Sequence, residues 1–244
     1  MYIETEGIVI KAVKYSESDL ILTILSRKFG KIGVYAKGAR RVKSPMMSST
    51  QPFALSMFSL TPTSGSFRLQ RADLIKNYYR LSSVLDKYYY GSYFMEFCEK
   101  VLMENQTNIR LFDLLKEGLD ILEYTANYRL LRIIFELKSL EYVGLKPEVL
   151  KCSNCGIIDL RASTMFSVSE GGLVCLDCSS QLKSLIKLDP STVRLIKYIY
   201  ENDITKSSEA KVSDILIAEA RNLIDFYFKE HLGVLHLKSL EFLI

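Results

Sequence analysis

A chain of 244 residues, 48% hydrophobic and 25% charged, can bury a substantial core and has the proportions of an ordinary globular protein. No apolar run reaches the roughly eighteen residues of a membrane span, and no basic segment followed by an apolar one opens the chain, so a reducing cytosol is expected. The net charge of +4 hides an asymmetry: residues 1–80 carry 13 Lys and Arg against 5 Asp and Glu, and the rest carries 19 against 23. That split points to a basic N-terminal domain with an anionic partner.

Residues 1–78 are predicted as a small all-β domain. Gly7–Val13, Leu20–Ser26, Lys31–Lys37, Phe53–Leu60 and Phe67–Arg71 are short β-rich runs. The turn signals between them are Tyr15-Ser-Glu-Ser-Asp19, Lys28-Phe-Gly30, Ser44-Pro45 and Thr61-Pro-Thr-Ser-Gly65. Five short strands imply a barrel or a sandwich, and the pattern alone does not choose.

The third strand carries the functional signal. Strict alternation in Lys31-Ile-Gly-Val-Tyr-Ala-Lys37 places Ile32, Val34 and Ala36 on one face and Lys31, Gly33, Tyr35 and Lys37 on the other. The second face suits a nucleic acid: Tyr35 offers a π surface to a base, the lysines meet phosphates, and Gly33 lets the partner come close. The competing reading is an exposed strand with its tyrosine packed under a loop. The next residues favour the first reading. Lys37-Gly-Ala-Arg-Arg-Val-Lys43 holds four cations in seven positions, a phosphate-neutralising loop in which Arg40, Arg41 and Lys43 join Lys37. Lys11, sharing strand parity with Gly7 and Val9, and Arg68, alternating against Phe67 and Leu69, are further candidates for nucleic-acid contact.

Residues 79–244 are predicted helical, with a cysteine segment at 150–180 inserted. Leu81, Val84, Leu85, Tyr88, Met95, Cys98 and Leu102 recur as one helical face; helices follow over Ile109–Tyr124 and Tyr128–Val143, the latter stopped by Gly144 and Pro147. Asp189-Pro190 is an N-cap and first helical residue, and a last helix covers Ser213–His231. Tyr78, Tyr79, Tyr88, Tyr89 and Tyr90 are expected to pack in the core and grooves, and Cys98 to be a small buried hydrophobe.

Cys152-Ser-Asn-Cys155 and Cys175-Leu-Asp-Cys178 form two matched pairs with nineteen residues between them. This C-x2-C…C-x2-C spacing is that of a zinc site, and four thiolates close the tetrahedral shell, so one structural Zn²⁺ is expected. Disulfides would leave Cys98 over in a chain without a leader, and a redox dithiol would need only one pair in a βαβ setting. Gly156, directly after Cys155, stands where a positive φ is expected.

Little supports catalysis. Only His231 and His236 are present, near the end of the last helix, and no Walker lysine loop, GxGxxG or GxSxG occurs. Glu17 and Asp19 sit in a turn, where local hydrogen bonding is expected of them, and Asp177 is a turn former or a neighbour of the metal. The rival to a nucleic-acid-binding role is an adaptor whose basic patch binds acidic protein tails.

The stretches Glu6-Gly-Ile-Val-Ile10, Tyr15-Ser-Glu-Ser-Asp19, Phe29-Gly30 and Ala36-Lys-Gly-Ala-Arg-Arg41 resemble the opening of the RecO family of bacterial DNA repair proteins, and a four-cysteine segment among helices matches the same layout. The resemblance implies an N-terminal OB-fold barrel, a helical domain and a zinc module. It also implies recombination mediation: binding single- and double-stranded DNA, annealing complementary strands, and acting with RecR, and in some members RecF, to load RecA onto DNA coated with single-strand-binding protein, whose C-terminal tail is a further partner. A cytoplasmic, nucleoid-associated protein follows from it.

Overall fold

Period-two alternation in five runs gives five strands: β1 (Ile3–Lys14), β2 (Leu20–Ser26), β3 (Gly30–Ala36), β4 (Ala54–Pro62) and β5 (Phe67–Asn77). In the computed structural model, which describes residues 2–160, 163–233 and 237–243, they close into a barrel of order β1-β2-β3-β5-β4, with β4 returning antiparallel to β1. The closure between β3 and β5 is parallel, pairing Val34 with Phe67 and Tyr35 with Arg68. This five-stranded Greek-key barrel is the OB-fold. Val9, Leu22, Ile24, Ile32, Val34, Phe58, Leu60 and Leu69 fill its interior.

The alternation expected of β3 holds: Ile32, Val34 and Ala36 are buried, and Lys31, Gly33 and Tyr35 lie on the half-buried outer face. The parity assigned to Lys11 does not hold. Ile8, Val9 and Ile10 are all buried, and pairing with β2 passes from Val9–Ile24 to Lys11–Thr23 across a bulge. The extra residue reverses the alternation, so Gly7 and Val9 face the core while Lys11 is exposed.

The chain gathers into two compact units, residues 1–125 with 237–244, and residues 126–236. The first includes helices α1 (Leu85–Val101) and α2 (Ile109–Tyr124) besides the barrel. The expected apolar face of α1 is corrected at its start: Leu85 and Tyr88 are exposed, while Tyr90, Tyr93, Phe94, Phe97 and Cys98 are buried. A helix of sequence Tyr-Tyr-Tyr-Gly-Ser-Tyr-Phe-Met is apolar nearly all round, so its period does not identify the inner side. Tyr78 and Tyr90 are core residues, Tyr88 packs on Phe53, Tyr89 stacks on Phe242, and Tyr79 is exposed. The segment carrying Phe242 is tied to α1 by the Glu96 carboxylate, which accepts the Lys238 and Ser239 amides and the Ser239 hydroxyl.

In the second unit, α3 (Tyr128–Tyr142) starts at Asn127, whose side chain accepts the Leu130 amide, and is buried from Leu130 to Leu140. Its interior holds an ion pair, Arg132 Nε to Glu136 Oε1 at 2.7 Å. Around it lie α5 (Pro190–Glu201), capped by Asp189 as expected, a short α6 (Ile204–Ser208) and α7 (Asp214–His231); α4 (Leu176–Ser179) is one turn in the cysteine segment. A small sheet of β6 (Met165–Ser167), β7 (Gly172–Leu173) and β8 (Leu185–Lys187), in the order β7-β6-β8, was not expected. Strands of two or three residues leave no alternation to detect. Among the described residues, no helix is long and apolar enough to cross a membrane.

Candidate nucleic-acid interface and metal centre

The basic segment after β3 is a built loop. Ala39 is fully buried in the barrel core and anchors the loop from within. The β1–β2 turn holds it from outside. Asp19 Oδ2 accepts the Tyr35 hydroxyl at 2.7 Å, and Oδ1 accepts the Gly38 amide at 2.8 Å and the Ser18 hydroxyl at 2.9 Å. The Arg40 amide donates to the Ser18 carbonyl, and its guanidinium Nη1 donates to the carbonyls of Ser16 and Glu17, both at 3.0 Å. Hydrogen bonds from Tyr35, then Gly38 and Ser18, hold the Asp19 carboxyl well below the usual carboxylate range, and the same bond raises the Tyr35 phenol. The local hydrogen bonding expected of Asp19 thus ties two loops together.

What this clamp presents is a group of exposed cations. Lys37, Arg41 and Lys43 are exposed, and among the described residues none of them forms an ion pair; the same is true of Arg68, which lies opposite Tyr35 on β5. Tyr35 is half-buried, its hydroxyl engaged, and Tyr15 stands against it edge to face at 5.7 Å and 80°. Tyr15 itself is 68% exposed. Two candidates are placed differently. Lys31 Nζ donates to the Glu99 carbonyl at 2.7 Å, and Lys11 Nζ pairs with the Glu99 carboxylate at 3.1 Å. The far end of the β3 outer face is therefore met by α1, and the unpaired cations gather toward the loop end. Sequence reasoning did not single out Tyr15; an aromatic residue inside a β1–β2 turn beside a basic loop was the available signal.

In the second unit the four cysteine sulfurs lie within 4.8 Å of one another, and Cys155 Sγ is 3.8 Å from Cys175 Sγ. A tetrahedral shell with metal–sulfur bonds of about 2.3 Å has edges of about 3.8 Å, so the four residues can hold a metal ion. The first knuckle closes through the Gly156 amide on the Cys152 carbonyl and the Cys152 amide on the Ile157 carbonyl, both at 2.8 Å; Gly156 takes φ +78°, as expected. At Gly172 a Cβ would collide with the Glu148 carbonyl, so only glycine lets β7 run against the strand-like segment leading into the knuckle. The Cys175 amide points at Cys152 Sγ at 3.3 Å. Burial pushes the Cys152 thiol up, but the amides of Cys155, Cys175 and Asn154 outweigh it and bring it down to about 6. Three of the cysteines are buried and Cys155 is exposed.

Other polar candidates are accounted for locally. Nε2 of His231 lies 2.7 Å from the Val168 carbonyl, where that nitrogen donates, and its ring packs on Tyr227. His236 lies outside the described residues. Asp177 sits in the first turn of α4. Cys98 is fully buried, and burial pushes its thiol up.

The chain matches two family models, Recombination protein O N terminal over residues 1–78 and Recombination protein O C terminal over residues 82–241. It is 36% identical to a DNA repair protein RecO of Alkaliphilus metalliredigens, covering 99% of this chain and 98% of that one. It is 32% identical to the RecO proteins of Bacillus subtilis, over 100% of this chain and 94% of that one, and of Listeria monocytogenes, over 98% and 92%. The barrel, the clustered cysteines and both halves of the sequence agree, and the chain belongs to the RecO family of DNA repair proteins.

Proposed function

We propose that this chain is a recombination mediator that binds single- and double-stranded DNA, anneals complementary strands and, with RecR and where present RecF, helps load RecA onto DNA coated with single-strand-binding protein, whose C-terminal tail it also engages. The observation that carries the reading is the pinned basic loop: Lys37, Arg41 and Lys43 are held exposed and unpaired among the described residues while Asp19 and Arg40 spend their hydrogen bonds on fixing the loop. Fixed cations bind a polyanion and release its counterions. Tyr35, Arg68 and Arg40 border the same surface, and Lys11 and Lys31 extend it at a lower charge because Glu99 meets both. Annealing on such a surface needs no covalent step; the cations lower the repulsion between two strands, and base pairing does the rest, so the protein acts without being an enzyme. Residues 1–78 carry the DNA contact, and residues 79–244, with segment 150–180 set into them, carry the metal; the family boundaries at 78 and 82 support that division. The metal is one Zn²⁺ held by Cys152, Cys155, Cys175 and Cys178, a closed shell that braces the module. The protein works in the cytoplasm, on the nucleoid.

The test is binding to single-stranded oligonucleotides across a salt series. Arg41→Ala with Lys43→Ala lowers the affinity and flattens the slope of log affinity against log salt by about 1.4, two contacts at about 0.7 each. An unchanged slope would overturn the assignment of the loop. Binding of an acidic peptide in place of the oligonucleotide would favour the adaptor role.

A further inference from the structure

We infer that the four-cysteine cluster is an oxidation-triggered release site for its metal, with Cys155 as the sulfur a peroxide attacks and Cys175 as the sulfur that resolves it. The inference rests on the zinc reading of the cluster and adds a reaction to it.

One shell holds two kinds of sulfur. Cys152, Cys175 and Cys178 are buried, and Cys155 is exposed. The fifth cysteine, Cys98, is fully buried in the other compact unit. Local backbone geometry explains the exposure of Cys155. It is the last ligand of the first knuckle, and the chain turns away directly after it through Gly156, at φ +78°. A Cβ built on Gly156 would meet nothing within 4 Å, so the space at the exit of the knuckle is open. Asn154, Ile157 and Ile158 around it are exposed as well. Cys152 is the contrast, for its sulfur is buried and accepts the Cys175 amide at 3.3 Å. A brace gains nothing from leaving one of its four sulfurs in water. An exposed thiolate beside a second cysteine is the arrangement of an oxidation sensor.

The second sulfur is in reach. Cys155 Sγ lies 3.8 Å from Cys175 Sγ, which belongs to the other knuckle. A metal-bound cysteine is already deprotonated and carries the electron pair that attacks a peroxide. In the first step the Cys155 sulfur bonds to one oxygen of hydrogen peroxide, the O–O bond breaks, and hydroxide leaves to be protonated by solvent. Sulfur has then given up two electrons and stands as a sulfenic acid, and the peroxide has taken them up. In the second step the Cys175 thiolate attacks that sulfur. An S–S bond forms, the S–O bond breaks, and a second hydroxide leaves and takes up a proton. The disulfide withdraws one ligand from each knuckle. Only the thiolates of Cys152 and Cys178 remain, half of the shell that Zn²⁺ takes, and the ion leaves. A dithiol reductant returns the two electrons and restores the shell.

The experiment titrates the full, zinc-loaded chain, freed of reductant, with hydrogen peroxide while a chromogenic chelator reports zinc. One equivalent of zinc is expected to appear as two thiols are lost. Peptide mass spectrometry is expected to find Cys155 joined to Cys175, with Cys98 still reduced. Dimedone, which captures sulfenic acids, should label Cys155 when it is present during oxidation. Dithiothreitol with added zinc should restore both the metal and the thiol count. Cys155→His keeps a ligand in the shell and removes the attacked sulfur, so its zinc release should be slower by about tenfold or more. The wild-type mapping needs no variant, so it decides the matter even if Cys155→His binds zinc poorly. Three results would overturn the release mechanism: zinc leaving a loaded Cys155→His chain at the wild-type rate, a disulfide or dimedone adduct that omits Cys155, or zinc retained under excess peroxide with every thiol intact. A reduced chain that takes up no zinc would overturn the zinc reading itself, and the release mechanism with it.

Discussion

At Asp19 one carboxylate fixes both the aromatic and the cationic parts of the candidate interface, through Tyr35 and Gly38. Its carboxyl is held below the usual range, so the folded chain binds fewer protons there than the unfolded chain does on the acid side. Its stabilising contribution is therefore complete above the ordinary carboxylate value of about 4 and fades as pH falls below it. Asp19→Asn should flatten the acid limb of melting temperature against pH below about pH 4, and at neutral pH should weaken binding to single-stranded DNA by loosening the loop. A melting profile with the wild-type acid limb would refute this role. The turn position of Asp19 was legible in the sequence, but its partners were not, because Tyr35 and Gly38 come alongside only when β1, β2 and β3 pair. Lys31 and Lys11 illustrate the same limit from the other side, for their shared partner, Glu99, belongs to α1.

Elements with a strong local signature were legible, and those without one were missed. Ile109–Tyr124 is a helix over the expected residues because an asparagine cap, an apolar stripe and a clear break coincide there. The strands of the small sheet and α6 are too short to show a period, and the bulge in β1 hides inside an unbroken apolar run, Ile8-Val9-Ile10. The cysteine module was legible for a different reason: its chemistry is written in spacing, and cysteines with two residues between them must share a turn. If the four cysteines hold the proposed zinc ion, metal binding and local folding of the module are one event. Chelation under reducing conditions should expose segment 150–180 to proteolysis and lower the helical content little, and Cys175→Ser should reduce bound zinc, measured by a chromogenic chelator, from one equivalent to near none. A digestion pattern unaffected by chelation would show that the module stands without metal.

Over the whole molecule the excess of positive charge lies in the first 80 residues, and the remainder is mildly acidic. A surface of this kind attracts polyanions from a distance set by the ionic strength, about 10 Å at 0.1 M salt. Annealing of complementary oligonucleotides should accordingly slow as salt rises, and the Arg41→Ala, Lys43→Ala chain should anneal slowly even at low salt while its circular dichroism stays that of the wild type. Annealing that ignores both salt and the substitutions would point to a mechanism other than charge neutralisation.

The sequence alone determined the five barrel strands, the long helices, the basic loop and the four clustered cysteines, since each is local: a side-chain period, a run of cations, two pairs of cysteines. Tertiary structure alone decided which cations stay unpaired, that Tyr15 stands against Tyr35 and that Lys11 faces outward. Those depend on residues far apart in the chain meeting at set distances, and only the closed barrel and its packed helix bring them there.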